Sequence, residues 1–347
     1  MQLAGTLASI GFVFGPVCCL KSRSLHAAIM EMDQLPAQTK RPLSQEERRD
    51  FLWWWNNVRK RNDKSLSQVV EARRLATDAS GTGAGAVLWC TDGATIRTAI
   101  NFEANERAES STFREIAAVR FAVKAFANEI RAARVVVQID NQGAVSIIKK
   151  GSPLAKLQAM AEDIFEHMES LGAVLEPIWV PRDQNVLADE ASRLLDKDDW
   201  GIREEIFAFC TERWGLPSLD AFANSKNAKC PRFLARYADI GAEGVDAFAS
   251  SWTGEFVWAV PPPRIIADVV SHMAHHRAQG ILGIPYWPSN LFFPSVWDGQ
   301  SWRWFVQDVI WLDAGSELFV PSTFENSVFN EDQAPFPFCF LLVNFAL

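Results

Sequence analysis

The sequence has few residues that commonly bind zinc, and they are scattered. Its six cysteines form no CxxC pair and no cluster with the spacing of zinc ligands, and it has only five histidines. This pattern argues against a zinc site and favours a reduced, intracellular setting in the cytoplasm or nucleus rather than secretion. Tyrosine is also scarce, with two residues against fourteen tryptophans, which we expect mainly to pack in cores.

An excess of positive charge is missing as well. The formal net charge is -8, which argues against a surface that is basic all over, as in many nucleic-acid-binding domains. It does not exclude a positive groove, because only the face that contacts phosphate needs that charge.

The apolar opening Leu3–Leu20 lacks the basic start of a signal peptide. It is interrupted by Gly5, Gly11, Gly15 and Pro16, and it is barely long enough to span a bilayer. We therefore expect a helical piece of an upstream domain here, and no membrane partner.

A globular composition remains, with 48% hydrophobic and 22% charged residues over 347 positions. That length predicts two domains with additional segments. The expected zones are a helical region over 1–72, an α/β domain over 73–196, a second, smaller α/β domain over 203–312 and an irregular tail over 313–347. In the first zone, Ser44 followed by Glu47 has the spacing of a helix-starting capping box.

Residues 73–196 alternate strand-like and helix-like patterns. A first strand ends near Asp78. Further strands are expected at Ala84–Cys90, Ile96–Phe102, Val135–Ile139 and Val174–Val180, and helices at 113–130, through Val145–Ile148, at Ala155–Leu171 and at Val186–Leu195. This order predicts an α/β fold in which helices pack on a mixed sheet.

Four acids occupy special positions in this domain. Asp78 lies on the first strand, Glu115 in the first turn of the long helix, Asp140 at the end of a strand and Asp189 in the last helix. Singly, each has an ordinary explanation: a turn residue, a charge favoured by the helix dipole, an N-cap and a surface acid, respectively. Together, at strand ends where α/β sheets gather their chemistry, they predict one site. Glu109 is a weaker alternative to Glu115, because it precedes the helix.

Carboxylates that converge repel one another and need a cation. Their hard oxygen atoms suit Mg²⁺ or Mn²⁺. Two such ions roughly 4 Å apart can clamp a phosphodiester, so that no nucleophilic side chain is required. The four acids therefore predict a two-ion metal site.

The segments TDAS, ESSTFREIAAVRFAV, VVVQIDNQGAV and PRDQNVLADEASRL resemble the ribonuclease H domain of reverse-transcribing elements, most closely that of DIRS-type and related retrotransposons. The resemblance implies a ribonuclease H-like fold in which Asp78, Glu115, Asp140 and Asp189 are catalytic metal ligands. It also implies an RNA–DNA hybrid as the substrate.

Four further residues are candidates for contacts with that hybrid. Asn141 and Gln142 could reach its minor groove and 2′-hydroxyls, or could simply cap a helix. Ser80 could touch the backbone or close its turn. Many cellular ribonucleases H carry a mobile histidine before the last carboxylate, whereas the corresponding loop here is PRDQN, without histidine. Arg182 could contact the scissile phosphate instead.

Residues 1–72 resemble the end of a reverse transcriptase thumb and connection. The palm, with its paired aspartates, is absent from this sequence. The resemblance therefore implies a polyprotein fragment whose partner is an upstream polymerase domain.

The stretch from Trp214 to Pro263 is similar to phage-type adenine-N6 DNA methyltransferases. In that family a polar residue, two prolines and an aromatic residue bind the flipped base. The corresponding stretch here is Ala259–Pro263, where both the polar residue and the aromatic are missing. We expect the fold without methyl transfer and without S-adenosylmethionine as cofactor, although Asp220 would lie near the cofactor site.

Two other features of this region have ordinary explanations. His272, His275 and His276 have helical metal-site spacing, but no acid or cysteine completes the set, so a solvated helix face is expected. Trp252 and Trp287 could stack on bases, but core packing is expected.

The leading hypothesis is a metal-dependent endonuclease that cuts the RNA strand of RNA–DNA hybrids. The alternative is a catalytically inactive, nucleic-acid-binding remnant of a retroelement, which the broken second motif suggests.

Overall fold

A computed structural model describes residues 2–9, 14–36, 39–60, 72–194, 200–320, 329 and 331–346. The chain divides into two units, Met1–Leu194 and Leu195–Leu347. Each contains helices and a five-stranded sheet. The expected fold class, a mixed α/β sheet with helices followed by a second α/β part, is confirmed.

The sheet of the first unit is mixed. Its strands are β1 (Ala72–Ala79), β2 (Gly83–Trp89), β3 (Thr95–Asn101), β4 (Arg134–Ile139) and β5 (Val174–Trp179). Their order across the sheet is β3-β2-β1-β4-β5. The first three strands pair antiparallel, whereas β4 pairs parallel with both β1 and β5. Parallel neighbours need crossover helices, which the chain supplies between them.

Nine helices are described in the first unit. They are α1 (Gln2–Ser9), α2 (Val17–Leu20), α3 (Arg23–Met32), α4 (Gln45–Asn57), α5 (Ala104–Arg107), α6 (Ser111–Ala125), α7 (Gln142–Lys150), α8 (Ala155–Ser170) and α9 (Val186–Ser192). The capping box expected at the start of α4 is present, with Ser44 and Glu47 bonded reciprocally. No helix within the described ranges is long and apolar enough to cross a membrane.

Helix α6 ends earlier than the expected helix over 113–130. The apolar spacing continues beyond it because Phe126 and Ile130 are both fully buried. These two side chains lie in turns after the helix. The apolar periodicity therefore predicted correctly which side chains are buried, but it did not predict where the helix ends.

Helix α9 lies very close to strand β2, and Gly85 makes this approach possible. A Cβ atom built on Gly85 would lie 2.1 Å from the carbonyl carbon of Ala191 and 2.2 Å from the nitrogen of Ser192. Both are backbone atoms, so a side chain here cannot be accommodated by rotation. The missing Cβ lets α9 lie against β1 and β2, next to the end of β1.

The sheet of the second unit has three parallel strands at one side. The strands are β7 (Leu219–Asp220), β10 (Phe256–Ala259), β11 (Gln279–Pro285), β12 (Val306–Leu312) and β14 (Phe338–Asn344), in the order β12-β14-β11-β10-β7. β14 runs antiparallel to both of its neighbours. Short pairs form separately, β6 (Gly201–Ile202) with β13 (Phe319–Val320), and β8 (Leu234–Ala235) with β9 (Gly244–Val245). Its helices are α10 (Glu204–Trp214) and α11 (Ile266–His275).

The expectation of an irregular tail over 313–347 is wrong for Phe338–Asn344. This segment is β14, which lies between β11 and β12 and is buried along most of its length. Its apolar run has no alternation because both faces of a central strand are covered. The pattern FCFLLVN is therefore typical of a buried strand, and the surrounding Phe and Pro residues obscured it.

We expect Gly85→Ala to destabilise the first unit by about 1–3 kcal/mol, the usual cost of overpacking a close contact. The added methyl group must push α9 away from β2. Urea unfolding followed by tryptophan fluorescence would measure this cost. Gly81→Ala is the matched control, because a Cβ there meets nothing within 4 Å. A Gly85→Ala protein as stable as the control would contradict the described contact.

Candidate metal centre

Three carboxylates from three different elements meet in the first unit. Asp78 comes from β1, Glu115 from α6 and Asp140 from the residue after β4. One carboxylate oxygen of each lies within 4.8 Å of the others. In the part of the chain that the structure describes, this is the one group of three or more His, Cys, Asp or Glu side chains that could hold a metal ion. The parallel pairing of β1 with β4 places Asp78 and Asp140 at the same edge of the sheet.

Glu115 reaches this edge because of where α6 begins. The Ser110 hydroxyl accepts a hydrogen bond from the backbone N–H of Phe113 and so fixes the start of the helix. Glu115 then lies one turn into α6, on the side that packs against β1 and β2. Only 5% of Glu115 is exposed, and only 3% of Asp78.

The cluster is electrostatically unfavourable as it stands. Burial, together with the nearby charges of Asp78 and Asp140, raises the pKa of Glu115 to about 9. Burial also raises the pKa of Asp78, with Asp140 and Asp189 adding to the effect. Both shifts follow from placing like charges together in a poorly solvated space.

One oxygen atom of Glu115 lacks any partner. Its Oε2 is buried and has no hydrogen-bond partner among the described atoms. A buried polar atom without a partner needs an explanation, and a bound ion is one of the recognised ones. The donors beside it are all carboxylate oxygens, which suit Mg²⁺ or Mn²⁺ better than softer metals. The residues therefore fit a hard divalent cation.

The fourth acid, Asp189, lies beside this cluster rather than within it. Its charge acts on Asp78, but its Oδ1 accepts hydrogen bonds from Arg182 at 3.1 Å and from Arg193 at 2.8 Å. Arg193 lies four residues further along the chain, whereas Arg182 lies in the loop between β5 and α9. The structure thus brings three of the four predicted ligands together and places the fourth next to them.

Ser192 is a site residue that the sequence analysis missed. Its buried hydroxyl donates to Oδ2 of Asp78 at 2.6 Å and so fixes the orientation of that carboxylate. Ser192 follows Asp189 by three residues, which puts both on one face of α9. That spacing was the available signal. Asn185 also ties this region to β1, because its Nδ2 donates to the carbonyl oxygen of Thr77 at 2.8 Å.

The predicted contacts to a hybrid have defined positions. The Asn141 side-chain oxygen caps α7 by accepting from the N–H of Ala144, and Gln142 is exposed beside it. The Ser80 hydroxyl closes the turn between β1 and β2 and donates to the carbonyl oxygen of Ser192. The helix-capping and turn-closing explanations therefore describe what Asn141 and Ser80 do in this structure.

Asp140 is held from the side of β5. The indole N–H of Trp179 donates to the backbone carbonyl of Asp140 at 3.0 Å. This bond joins the ends of two neighbouring strands. It keeps the Asp140 backbone in place while leaving its carboxylate free to face Asp78 and Glu115.

The other candidates lie outside the cluster. Glu109 is paired with Lys156, so Glu115 rather than Glu109 joins the other acids. In the second unit, His272 bonds to the carbonyl of Ser250, and His275 is exposed.

Trp252 and Trp287, the two tryptophans considered for base stacking, pack as expected. Trp252 is fully buried, and Trp287 is partly buried against the core. Neither ring is freely presented for stacking on bases.

Comparison with known families identifies part of the chain. Residues 71–166 match the family model of the RNase H-like domain found in reverse transcriptase. This part of the chain is therefore similar to the RNase H-like domain of reverse transcriptases. The match includes Asp78, Glu115 and Asp140, and it ends before Asp189.

Solved ribonucleases H are also similar to about a third of the chain. An RNase H1 from a compost metagenome, in complex with an RNA/DNA hybrid, has 19% identity and a TM-score of 0.29, covering 34% of this chain and 92% of that one. RNase H1 of the archaeon Halobacterium salinarum has 19% identity and a TM-score of 0.26, covering 35% and 93%. The N-terminal RNase H domain of a Mycobacterium tuberculosis protein has 22% identity and a TM-score of 0.25, covering 35% and 90%. No curated protein matches.

The raised pKa of Glu115 predicts how stability depends on pH without metal. The unfolded chain releases this proton near pH 4.5, while the folded protein retains it up to about pH 9. The folded state then binds more protons, so stability falls as pH rises through this window. In EDTA, thermal unfolding should show that Glu115→Gln, which mimics the protonated side chain, gains stability relative to the wild type between pH 5 and pH 8.

Glu109→Gln is the control for that comparison, because it removes a partly exposed acid that lies just before the same helix. Its difference from the wild type should stay nearly constant over the same pH range. If Glu115→Gln behaves like this control, the buried cluster does not carry the described repulsion.

Proposed function

We propose that the first unit is a metal-dependent endonuclease that cleaves the RNA strand of an RNA–DNA hybrid. The observation that carries this proposal is the convergence of Asp78, Glu115 and Asp140 with an unpartnered, buried Glu115 oxygen. The match of residues 71–166 to an RNase H-like domain supports the choice of reaction.

Each ligand of the proposed site has a defined task. Asp78, Glu115 and Asp140 would hold one divalent ion, and Asp189 with Asp78 would complete a second site. Bound Mg²⁺ or Mn²⁺ would activate the attacking water and stabilise the leaving 3′ oxygen of the phosphodiester. Ser192 orients Asp78 through the hydroxyl bond, and Trp179 fixes the backbone at Asp140. The protein supplies no covalent nucleophile.

The residues after Asp140 are proposed to contact the hybrid. Gln142 is exposed, and the Nδ2 of Asn141 makes only a long contact of 3.5 Å with the Thr112 hydroxyl. Both amides can therefore donate to minor-groove atoms or 2′-hydroxyls, which distinguish RNA from DNA. Ser80 and Arg182 lie on the turn and the loop that flank the cluster, where a backbone phosphate would pass.

The wider context belongs to the same proposal. The resemblance of residues 1–72 to a reverse transcriptase thumb and connection, together with the family match, supports a retrotransposon polyprotein of the DIRS-type class. In that setting the partner would be an upstream polymerase domain, and the protein would act inside the cell.

For the second unit we propose a methyltransferase-like fold that has lost its transfer activity. Its parallel strands β7, β10 and β11 with antiparallel β14 form an open sheet, and such sheets bind ligands at their carboxyl ends. Asp220 lies at the end of β7, where burial raises its pKa to about 6. The segment after β10 is Val260–Pro263, which offers neither an acceptor for a base amine nor an aromatic side chain.

Purified protein with Mg²⁺ should cut the RNA strand of a hybrid and spare single-stranded RNA. Loss of a residue that hydrogen-bonds to a metal ligand usually lowers activity by about 10- to 100-fold. Asp78 is itself a proposed ligand, so we expect Asp78→Asn to lower cleavage by more than this. Gel assays with end-labelled RNA would measure both activities. The control is Asp92→Asn, which removes the same charge from the β2–β3 turn, where an amide oxygen can still accept from Ala94.

Equal cleavage by wild type and Asp78→Asn would refute the proposal. Tight binding of the hybrid without cleavage at any Mg²⁺ or Mn²⁺ concentration would instead favour a nucleic-acid-binding remnant. The Asp92→Asn protein guards against a contaminating nuclease or a general effect of lost charge.

Ser192→Ala should weaken divalent metal binding by about 10- to 100-fold, because Asp78 loses the donor that orients it. Isothermal titration with Mn²⁺ would measure the change. Ser192→Cys keeps the volume and a weak donor and should recover part of the affinity. A Ser192→Ala protein with unchanged Mn²⁺ affinity would show that the hydroxyl only fills space.

A further inference from the structure

Arg182 brings a positive charge next to the carboxylate cluster. Its guanidinium donates to Oδ1 of Asp189 at 3.1 Å. Arg182 also acts electrostatically on Asp78, Glu115 and Asp140. In the protein without metal, this one side chain therefore balances part of the charge that a divalent ion would balance.

The contact between Arg182 and Asp189 can be exchanged easily. The Arg182 side chain is 71% exposed and that of Asp189 is 20% exposed. Ion pairs of this exposure contribute little to stability, because water competes well for both partners. The Arg182 backbone belongs to a single 3-10 turn, Arg182–Gln184, between β5 and α9. Its side chain has room to move without disturbing a core.

Arg193 differs from Arg182 although it contacts the same oxygen atom. It lies four residues after Asp189 and donates to Oδ1 at 2.8 Å. This pair is local to α9 and its end, so it can persist whatever happens in the preceding loop. Asp189 therefore has one local partner and one partner from a separate element.

A guanidinium has two natural partners at such a site. It binds a carboxylate or a phosphate with similar geometry, and a phosphodiester in the groove would compete with Asp189 for it. A second metal ion competes in the opposite sense, since it needs Asp189 and is repelled by a nearby positive charge. The hybrid thus competes for Arg182, and the second ion competes for Asp189, so both act on the same ion pair.

We propose that Arg182 is a positioning residue that couples hybrid binding to loading of the second metal ion. In the free protein it holds Asp189 and competes with that ion. When a backbone phosphate takes the guanidinium, Asp189 keeps only its local partner Arg193 and can complete the second site. This inference rests on the proposed nuclease function and concerns the order in which its parts assemble.

The first test uses Mn²⁺ alone with the full chain. Electron paramagnetic resonance of free Mn²⁺ should show one tighter and one weaker ion in the wild type. Arg182→Gln should bind the weaker ion about two- to fivefold more tightly, the range that loss of an exposed ion pair allows. Arg131→Gln, which removes an exposed charge before β4 (Arg134–Ile139), should leave the affinity unchanged. An unchanged or weaker second site in Arg182→Gln would overturn the proposal, because Arg182 would then only hold Asp189 in place for the ion.

The second test measures hybrid binding in EDTA by fluorescence anisotropy, where no cleavage occurs. Asp189→Asn frees Arg182 and should tighten hybrid binding more than Asp183→Asn, which removes an exposed acid from the same turn. This extra gain should vanish in an Arg182→Gln background and persist in an Arg193→Gln background. Equal gains from the two aspartate variants, or an extra gain of Asp189→Asn that survives loss of Arg182, would overturn the exchange.

The two proposals fail in different ways. A wild type that binds Mn²⁺ and hybrid but never cuts RNA contradicts the nuclease function, while the exchange of Arg182 can still be seen in EDTA. A wild type that cuts hybrid RNA while Arg182→Gln shows the wild-type Mn²⁺ affinity contradicts only the coupling.

Discussion

The mutual repulsion of three clustered carboxylates, two of them buried, is the constraint around which the first unit is organised. Two strands and a helix bring together Asp78, Glu115 and Asp140, although the negative charges of these side chains repel one another. Packing elsewhere has to offset that cost, and the fully buried faces of β1, β4 and α6 provide it. Proteins tolerate such repulsion where a ligand relieves it, so the clustering of these carboxylates indicates a functional site.

Sequence patterns predicted this arrangement well because its signals are local. Asp140 directly follows a β-branched run, and Glu115 lies at a fixed distance after a helix start, so each acid could be assigned to an element boundary. The rule that α/β sheets gather their chemistry at strand ends then predicted that the acids share one site. Because carboxylate oxygens are hard ligands, the same residues then predicted Mg²⁺ or Mn²⁺ as the bound ion.

What the sequence could not predict depends on contacts between distant segments. The Ser192 hydroxyl meets Asp78 across 114 positions, and only a folded chain shows which oxygen it binds. The sequence pattern placed Asp189 on the last helix, but it could not predict that Asp189 pairs with two arginines. Gly85 likewise reads as an ordinary strand glycine until α9 is seen against it. In the second unit, β14 was missed because a strand covered on both faces has no alternation.

The position of β14 has a consequence for how the second unit is made. Among the strands that the structure describes, this one comes last in the sequence, yet it lies between β11 and β12. During synthesis on the ribosome, the edges of β11 and β12 that will pair with β14 remain unpaired until residues 338–344 have been made. Exposed strand edges invite pairing with other chains, so the half-made sheet is a substrate for chaperones and for aggregation. A stop codon a few residues before Phe338 would therefore remove an interior strand of this sheet rather than an edge strand.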